Sequence, residues 1–208
     1  MGRRGRFGKY GEIKRADRLR RARIRTSSLH RSDIKPLGRG PSFKKSAEEK
    51  TALRIRPAGP SDARFVVQLS GRVFHVYGPY ERIIKSWFES GMTVTLIGLL
   101  NKKPVAFAMI SHLPHEENQQ HVSELLAIAV VPEKQRMGIG EMLLKEMERK
   151  AAEMNTKELF LHTAEENMAA HKLFSKNGYY SWGIKKNFYP AGQDAVFMSK
   201  EIRGEAQS

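Results

Sequence analysis

Two closely spaced glycines lie between an apolar segment and a helical segment, where they could bind a phosphate group. They belong to the sequence Gln135-Arg136-Met137-Gly138-Ile139-Gly140. Because glycine has no side chain, the backbone can approach a ligand closely, and the first N–H groups of the following helix have no partner within it. Arg136 adds a positive charge. The segment predicts a pyrophosphate site, although such a glycine pair also occurs in simple turns.

Other kinds of site are excluded by the residues themselves. A dinucleotide site would need a third glycine in the pattern G-x-G-x-x-G, and Leu143 stands there instead. The chain has no cysteine, and therefore no disulfide, thiolate metal site or cysteine nucleophile. His112, His115 and His121 are spaced as H-x2-H-x5-H, which fits no familiar zinc pattern. We predict no metal site.

The segment before the glycines is the most apolar in the chain. Residues 124–132 read ELLAIAVVP. Because this segment is apolar on both faces, it predicts a strand buried on both sides, as in the middle of an α/β sheet. In a regular strand, Glu124, Leu126, Ile128 and Val130 would share one face.

The rest of the chain after residue 50 alternates between strand and helix patterns. Further strands are predicted at Leu53–Arg56, Thr93–Leu100, Pro104–Ser111, Leu159–Thr163, Tyr179–Ile184 and Ala195–Ile202. Helices are predicted at about 62–73, 80–89, 139–154 and 168–176. The order of elements indicates a mixed α/β fold.

Positive charge is concentrated near the N-terminus. Residues 1–50 contain 17 Lys and Arg against 5 Asp and Glu, whereas residues 51–208 contain 20 against 17. We interpret 1–50 as a basic, flexible arm, 51–203 as the folded domain and 204–208 as a C-terminal tail. The arm would bind RNA phosphates without sequence preference, unless it is only a solubilising tail. No apolar run approaches the length of a membrane span, and we expect a cytoplasmic protein.

Three segments together resemble a known family. Gln135, Gly138 and Gly140 match the Q/R-x-x-G-x-G/A signature of the GNAT acetyltransferases. The segment Asn167–Tyr179 resembles the helix and turn that flank the pantetheine of coenzyme A in that family. Residues 186–195 are similar to the closing hairpin of N-terminal protein acetyltransferases, including those that act on ribosomal proteins. The resemblance spans about residues 51–203.

The resemblance implies a GNAT fold and acetyl-CoA as co-substrate. The expected sheet is mostly antiparallel and twisted, with about seven strands, a splay between strands 4 and 5, and about four flanking helices. The implied acetyl-CoA contacts are Ile128, Ala129, Val130, Gln135, Arg136, Met137, Gly138, Ile139, Gly140, Asn167 and Phe174.

The implied activity is acetyl transfer to a primary amine. We expect a protein N-terminal α-amino group as the acceptor, with a lysine or a small-molecule amine as alternatives. Phe74, Tyr77 and Tyr80 could line the acceptor site or pack in the core. A ribosome- or RNA-associated binding protein is the alternative from another class. The chain could be a monomer or a homodimer.

Two side chains are candidates for the general base. Glu124 precedes Gln135 by eleven residues, an offset that resembles the base glutamate of histone acetyltransferases. A solvated carboxylate at a strand end is the alternative. His162 stands where ribosomal-protein acetyltransferases carry a glutamate, and the ordinary pKa of imidazole suits a base. A histidine in an apolar strand can equally be a packing residue.

The general acid departs from the family pattern. Many relatives have a tyrosine where Phe174 stands, and that tyrosine protonates the leaving thiolate. Phenylalanine has no proton to give. Tyr179, Tyr180 or Tyr189 must replace it, or water must help, and we select Tyr189 as the candidate.

Overall fold

Residues 53–111 and 121–202 are the part of the chain described by the structure, which is a computed structural model. The chain divides after Ser46, and the second unit, Ala47–Ser208, contains every described element. The predicted arm at 1–50 and tail at 204–208 lie outside the described residues, so the domain assignment stays a prediction.

Seven strands form one sheet. They are β1 (Arg54–Pro57), β2 (Thr93–Leu100), β3 (Lys103–Ser111), β4 (Val122–Val130), β5 (Glu158–Ala164), β6 (Tyr180–Lys185) and β7 (Ala195–Glu201). Their order across the sheet is β1-β2-β3-β4-β5-β7-β6. Neighbouring strands are antiparallel except β4 and β5, which are parallel.

Four α-helices cover the sheet in the described part of the chain. They are α1 (Ala63–Phe74), α2 (Tyr80–Glu89), α3 (Ile139–Glu153) and α4 (Met168–Lys176). Side chains of α1 and α2, among them Val66 and Ile84, pack with Phe107 of β3 in one cluster. Side chains of α3 and α4, among them Leu143 and Phe174, pack in a second cluster on the other face. The predicted mixed α/β fold is confirmed.

β4 and β5 pair only near their N-terminal ends. Their parallel register joins Val122–Leu125 to Glu158–Leu161. Beyond this point β5 continues to pair with β7 as far as Ala164, and β4 continues beside β3 as far as Val130. Within the described residues, 126–130 of β4 therefore have no strand partner on the β5 side. The predicted splay between the fourth and fifth strands is confirmed.

The register between β3 and β4 shifts at Leu126. Met109 pairs with Ala127, but Ile110, the next residue of β3, pairs with Leu125. Leu126 is therefore an extra residue in β4, a β-bulge, and side chains on the two sides of a bulge do not alternate regularly.

The bulge corrects one expectation from the sequence. Leu126 packs with the α1 and α2 cluster, whereas Ile128 and Val130 pack with the α3 and α4 cluster. The prediction that Glu124 and Leu126 share a face with Ile128 and Val130 is wrong. A one-residue insertion in a strand reverses the faces of every side chain that follows it.

Candidate active site

The loop between β4 and α3 presents uncapped backbone amides at the start of a helix. Gly138 precedes α3 with φ +79°, and no side chain caps the helix. Arg136 also has a left-handed backbone, with φ +61°. A Cβ atom added at Gly138 would meet nothing within 4 Å, so the space beside it is open. Free N–H groups at a helix N-terminus, with an arginine beside them, suit a phosphate ligand. The predicted pyrophosphate residues therefore fit that group.

The backbone of β4 faces the gap beside β5 at two of the predicted positions. The N–H of Val131 donates to the carbonyl of Val105 in β3 at 2.8 Å. Because successive residues of a strand turn their polar groups to opposite sides, those of Ile128 and Val130 point into the gap. Gln135 Nε2 donates to the carbonyl of Val130 at 3.1 Å and fastens the loop to the strand. By the same alternation, the polar groups of Ala129 point towards β3, where it lies opposite Phe107.

α4 borders the same gap. Asn167 begins this helix, and its side-chain oxygen accepts a hydrogen bond from the N–H of Ala170 at 3.1 Å. Phe174 is buried in the cluster of α3 and α4. Gly140 lies opposite, where an added Cβ would contact Leu173 at 3.7 Å. The helix that begins after Gly138 therefore packs close to α4.

The two candidate bases are adjacent in the structure. His162 Nδ1 lies 2.8 Å from Glu124 Oε1, and their side chains are 13% and 28% exposed. An ionised carboxylate can only accept a hydrogen bond, so Nδ1 carries the hydrogen and the lone pair of the neutral ring is on Nε2. This arrangement leaves Nε2 able to accept a proton, with Glu124 beside the ring to stabilise the resulting imidazolium.

Neighbouring side chains hold this pair in place. The His162 ring lies 4.8 Å from the Phe188 ring at 30°, and Phe197 contacts it edge-on at 4.3 Å. The Ser111 hydroxyl oxygen accepts a hydrogen bond from the N–H of Glu124 at 2.8 Å. The sequence did not identify Ser111 or Phe188 as site residues. Phe188 lies within the hairpin motif that resembles the family, whereas Ser111 has no distinctive sequence signal.

A cavity of about 260 Å³ contains the pair. Its lining comes from α1, α2, β4, β5, α4 and the hairpin between β6 and β7. The lining residues are Phe74, Tyr77, Tyr80, Ile83, Ile84, Trp87, Glu124, Leu125, Leu126, Ala127, Ile128, Leu161, His162, Thr163, Ala164, Asn167, Ala170, Phe174, Phe188 and Tyr189. The cavity thus brings together the three predicted catalytic residues and, of the predicted cofactor residues, Ile128, Asn167 and Phe174, whereas Ala129, Val130 and residues 135–140 do not line it.

Of the three tyrosines considered as proton donors, Tyr189 is the one that lines this cavity. Burial raises the pKa of Tyr189 above its ordinary value, with smaller contributions from Tyr80 and Tyr77. Tyr179 instead packs against Phe174, with Lys200 above its ring. Tyr180 is 52% exposed at the edge strand β6. A raised pKa means that Tyr189 releases its proton less readily than a free tyrosine.

The connection between α1 and α2 touches the hairpin between β6 and β7 beside the cavity. The N–H of Ala191 donates to the carbonyl of Tyr77 at 3.3 Å, and Gln193 Nε2 donates to the carbonyl of Val76 at 2.7 Å. A Cβ atom added at Gly78 would lie only 2.7 Å from Pro190. We call these interactions the closing contact. It leaves little room for a continuous chain to pass between the two segments.

Residues 53–111 and 121–202 contain no group of three or more His, Asp or Glu side chains placed to bind a metal. His121 is buried, with Nδ1 2.7 Å from the carbonyl oxygen of Met154. His112 and His115 lie outside the described residues. No helix among the described residues is both long and apolar enough to span a bilayer.

Comparisons with known proteins agree with this geometry. A sequence model of the acetyltransferase (GNAT) family matches residues 64–179. An N-alpha-acetyltransferase from Sulfurisphaera tokodaii is 24% identical over 165 residues, which cover 75% of this chain and 97% of that protein. The ribosomal protein bS18-alanine N-acetyltransferase of Escherichia coli is 30% identical over 105 residues, or 49% of this chain and 67% of that enzyme.

Solved structures share the fold. A ribosomal-protein-S18-alanine N-acetyltransferase from Escherichia coli superimposes with a TM-score of 0.64 and 22% identity, covering 76% of this chain and 98% of that one. The Salmonella typhimurium protein yncA, solved with its cofactor acetyl-CoA, has a TM-score of 0.62 and 16% identity over 76% of this chain and 98% of that one. The chain belongs to the GNAT family of acetyltransferases and is an acetyl-transferring enzyme.

Proposed function

We propose that this enzyme transfers an acetyl group from acetyl-CoA to the α-amino group at the N-terminus of a protein. The observation on which the proposal rests is the hydrogen-bonded Glu124–His162 pair, which lines a cavity at the splay between β4 and β5. Three further features support the proposal. The uncapped start of α3 and the free edge of β4 suit coenzyme A, and the closing contact limits the shape of the acceptor.

The chain has residues for each part of coenzyme A. The amides from Gly138 to Gly140, with Arg136, would bind the pyrophosphate. The main-chain N–H and carbonyl of Ile128 and the N–H of Val130 would pair with the pantetheine as a strand edge pairs with an extended peptide, while the Val130 carbonyl accepts from Gln135. When bound, acetyl-CoA supplies an activated acetyl group as a thioester.

Glu124 and His162 are proposed to remove the proton from the acceptor amine. An α-amino group, with a pKa of about 8, is neutral in roughly one molecule in ten at pH 7, whereas a lysine is neutral in about one in a few thousand. His162 Nε2 accepts the proton, and Glu124, 2.8 Å from Nδ1, stabilises the charged ring. An α-amino group therefore requires less help from a general base than a lysine does.

Tyr189 is proposed to act as a hydrogen-bond donor. Because burial raises the pKa of its hydroxyl, complete transfer of its proton to a thiolate would be unfavourable. Its position in the lining lets the hydroxyl donate a hydrogen bond within the cavity while remaining protonated. This role differs from the full general acid expected from the sequence.

The closing contact supports a chain end as the acceptor. The hydrogen bond from Ala191 to Tyr77 and the bond from Gln193 to Val76 join the two segments that flank the cavity. An internal lysine would bring the chain on both of its sides to the mouth of the cavity, where this contact restricts the space. The relatives named for N-alpha acetylation and for bS18-alanine acetylation point to the same acceptor class.

A paired set of peptides tests the proposal. One peptide has a free N-terminus and no lysine, and its partner has a blocked N-terminus and one internal lysine. With acetyl-CoA and the full chain, we expect mass spectrometry to detect acetylation of the first peptide, located on the N-terminal fragment ions. Acetylation of the blocked peptide alone, or of a small amine alone, would instead favour a lysine or small-molecule acetyltransferase.

A further inference from the structure

The part of the cavity near α2 is apolar. Ile83, Ile84 and Trp87 of α2 line it together with Leu126 and Ala127 of β4. Ile84 and Ala127 are buried members of the cluster beneath α1 and α2, which makes this boundary part of the packed core. A cavity bounded by packed core side chains keeps its shape and accepts apolar groups.

The β-bulge creates this part of the cavity. It places two consecutive side chains, Leu126 and Ala127, on the α2 side of β4, although consecutive residues of a regular strand face opposite sides. Ala127 is the smaller of the two and lines the cavity, so a larger side chain at this position would extend into it.

The opposite part of the cavity belongs to the cofactor. Asn167, Ala170 and Phe174 of α4 line it, together with Ile128, whose main chain faces the gap between β4 and β5. The acetyl group must therefore approach His162 from the α4 side. The acceptor amine has to lie beside Nε2, and its Cα also bears the first side chain. The space left for that side chain is the apolar region near α2.

We propose that this region is a specificity site that selects acceptor proteins whose first residue has a large apolar side chain, such as methionine or leucine. The inference rests on the proposed function, and it names the class of N-terminus. The cavity lining contains no charged partner for an acidic or basic first side chain other than the Glu124–His162 pair itself. A small first residue such as alanine would leave the apolar space unfilled.

A series of peptides that differ only in the first residue tests this inference. The full chain is given acetyl-CoA and peptides that begin with Met, Leu, Phe, Ala, Ser, Gly or Asp, and kcat/KM is measured for each. Because an apolar site discriminates by about 10- to 200-fold for small differences in side-chain size, we expect Met and Leu to exceed Ala by tenfold or more.

Two variants test whether the named residues set the preference. Ala127→Leu fills the space, and we expect the Met-to-Ala ratio of kcat/KM to fall by about tenfold or more. Ala108→Leu is the matched control, because this alanine is also buried in the sheet but packs on the α3 side, outside the cavity. Trp87→Ala removes bulk instead of adding it, and we expect it to shift the preference towards phenylalanine. It provides the test if the larger substitutions do not fold.

The outcomes separate this inference from the proposed function. A preference for Ala, Ser or Gly, or values within about threefold for all first residues, would overturn the specificity site while leaving N-terminal acetylation in place. The specificity site would also be overturned if Ala127→Leu and Trp87→Ala both fold and neither changes the Met-to-Ala ratio of kcat/KM. Absence of α-amino acetylation with every peptide, alongside acetylation of lysine, would overturn the proposed function itself.

Discussion

At the scale of single residues, Glu124 acts through the imidazole of His162. We expect Glu124→Gln to lower kcat by about 100-fold or more at saturating acetyl-CoA, within the range observed for loss of general-base assistance. The glutamine amide cannot stabilise an imidazolium, and it can donate to Nδ1 and so favour the wrong tautomer. The affinity for coenzyme A, measured by calorimetry, is expected to be unchanged because Glu124 lies away from the Gly138 loop.

Glu165→Gln provides a matched control for this substitution. Glu165 is an exposed carboxylate just after β5, 3.8 Å from Lys186, and it does not line the cavity. Unaltered kcat in Glu124→Gln would remove Glu124 from the mechanism. The double variant with His162→Ala should be little worse than either single variant, because two residues that act as one unit have non-additive effects.

Tyr189 provides a second prediction at this scale. Because burial raises the pKa of its hydroxyl, we expect it to remain protonated, and Tyr189→Phe to lower kcat by only about tenfold, the cost of a hydrogen bond of ~1.4 kcal/mol. Tyr180→Phe removes a hydroxyl from an exposed tyrosine outside the cavity and is expected to have no effect. A loss of 1,000-fold or more in Tyr189→Phe, within the range for general acid–base catalysis, would show that the tyrosine transfers its proton.

The sequence indicates both candidate general bases, but it does not indicate that the two side chains are hydrogen-bonded to each other. The family pattern identifies Glu124 and His162 separately, each by its position in the chain. Their contact depends on the parallel register that sets Glu124 opposite Phe160, and no local sequence pattern specifies how two distant strands align. The hydrogen bond from the Glu124 N–H to the Ser111 hydroxyl also depends on how distant strands align, so the sequence could not predict this contact.

At the scale of elements, the loop before α3 is the part that we expect to determine cofactor affinity. Gly138→Val introduces a β-branched side chain at φ +79°, which costs about 1–2 kcal/mol, and places it over the open amides. We expect the affinity for coenzyme A to fall by tenfold or more in calorimetry. The side chain would both block the ligand and favour a loop conformation in which the amides no longer converge.

Gly91→Val separates backbone strain from cofactor binding. Gly91 has φ +72° and also has nothing within 4 Å of an added Cβ, but it lies in the turn after α2. Both variants should lower the melting temperature, while Gly138→Val alone should weaken coenzyme A binding. Equal affinities in the two variants would show that the α3 N-terminus does not hold the pyrophosphate.

Several elements followed from local sequence patterns. The predicted α2, α4, β2 and β3 agree with the structure to within one residue. The helices have apolar residues at helical spacing, whereas the two strands are apolar runs joined by the short polar link Asn101-Lys102-Lys103. The bulge in β4 could not be predicted in this way. Leu125, Leu126 and Ala127 are all apolar, so no change of polarity marks where the alternation reverses. The apolar region near α2 depends on that bulge and was missed for the same reason.

At the scale of the whole molecule, the uneven charge distinguishes residues 1–50 from the catalytic domain. The first 50 residues contain 17 Lys and Arg against 5 Asp and Glu, whereas the domain is nearly balanced. This segment lies outside the described residues, and RNA binding by it stays a prediction from the sequence. If acceptors are N-termini of proteins that lie on RNA, such a segment would raise the concentration of the enzyme near them.

A shortened chain tests this division of roles. The unit Ala47–Ser208 contains all of the described catalytic elements, so we expect a chain of these residues to keep its coenzyme A affinity and its turnover of free peptides. Its affinity for single-stranded RNA should fall sharply, because the removed lysines and arginines no longer neutralise phosphates and release counterions. The salt dependence should fall as well, since each phosphate contact contributes about −0.7 to the slope of log K against log salt. A full-length variant with the basic residues before position 47 changed to glutamine serves as the control for length. It should lose RNA binding to the same extent if charge is the cause. Loss of coenzyme A binding in the shortened chain, or undiminished RNA binding in both variants, would contradict this separation of roles.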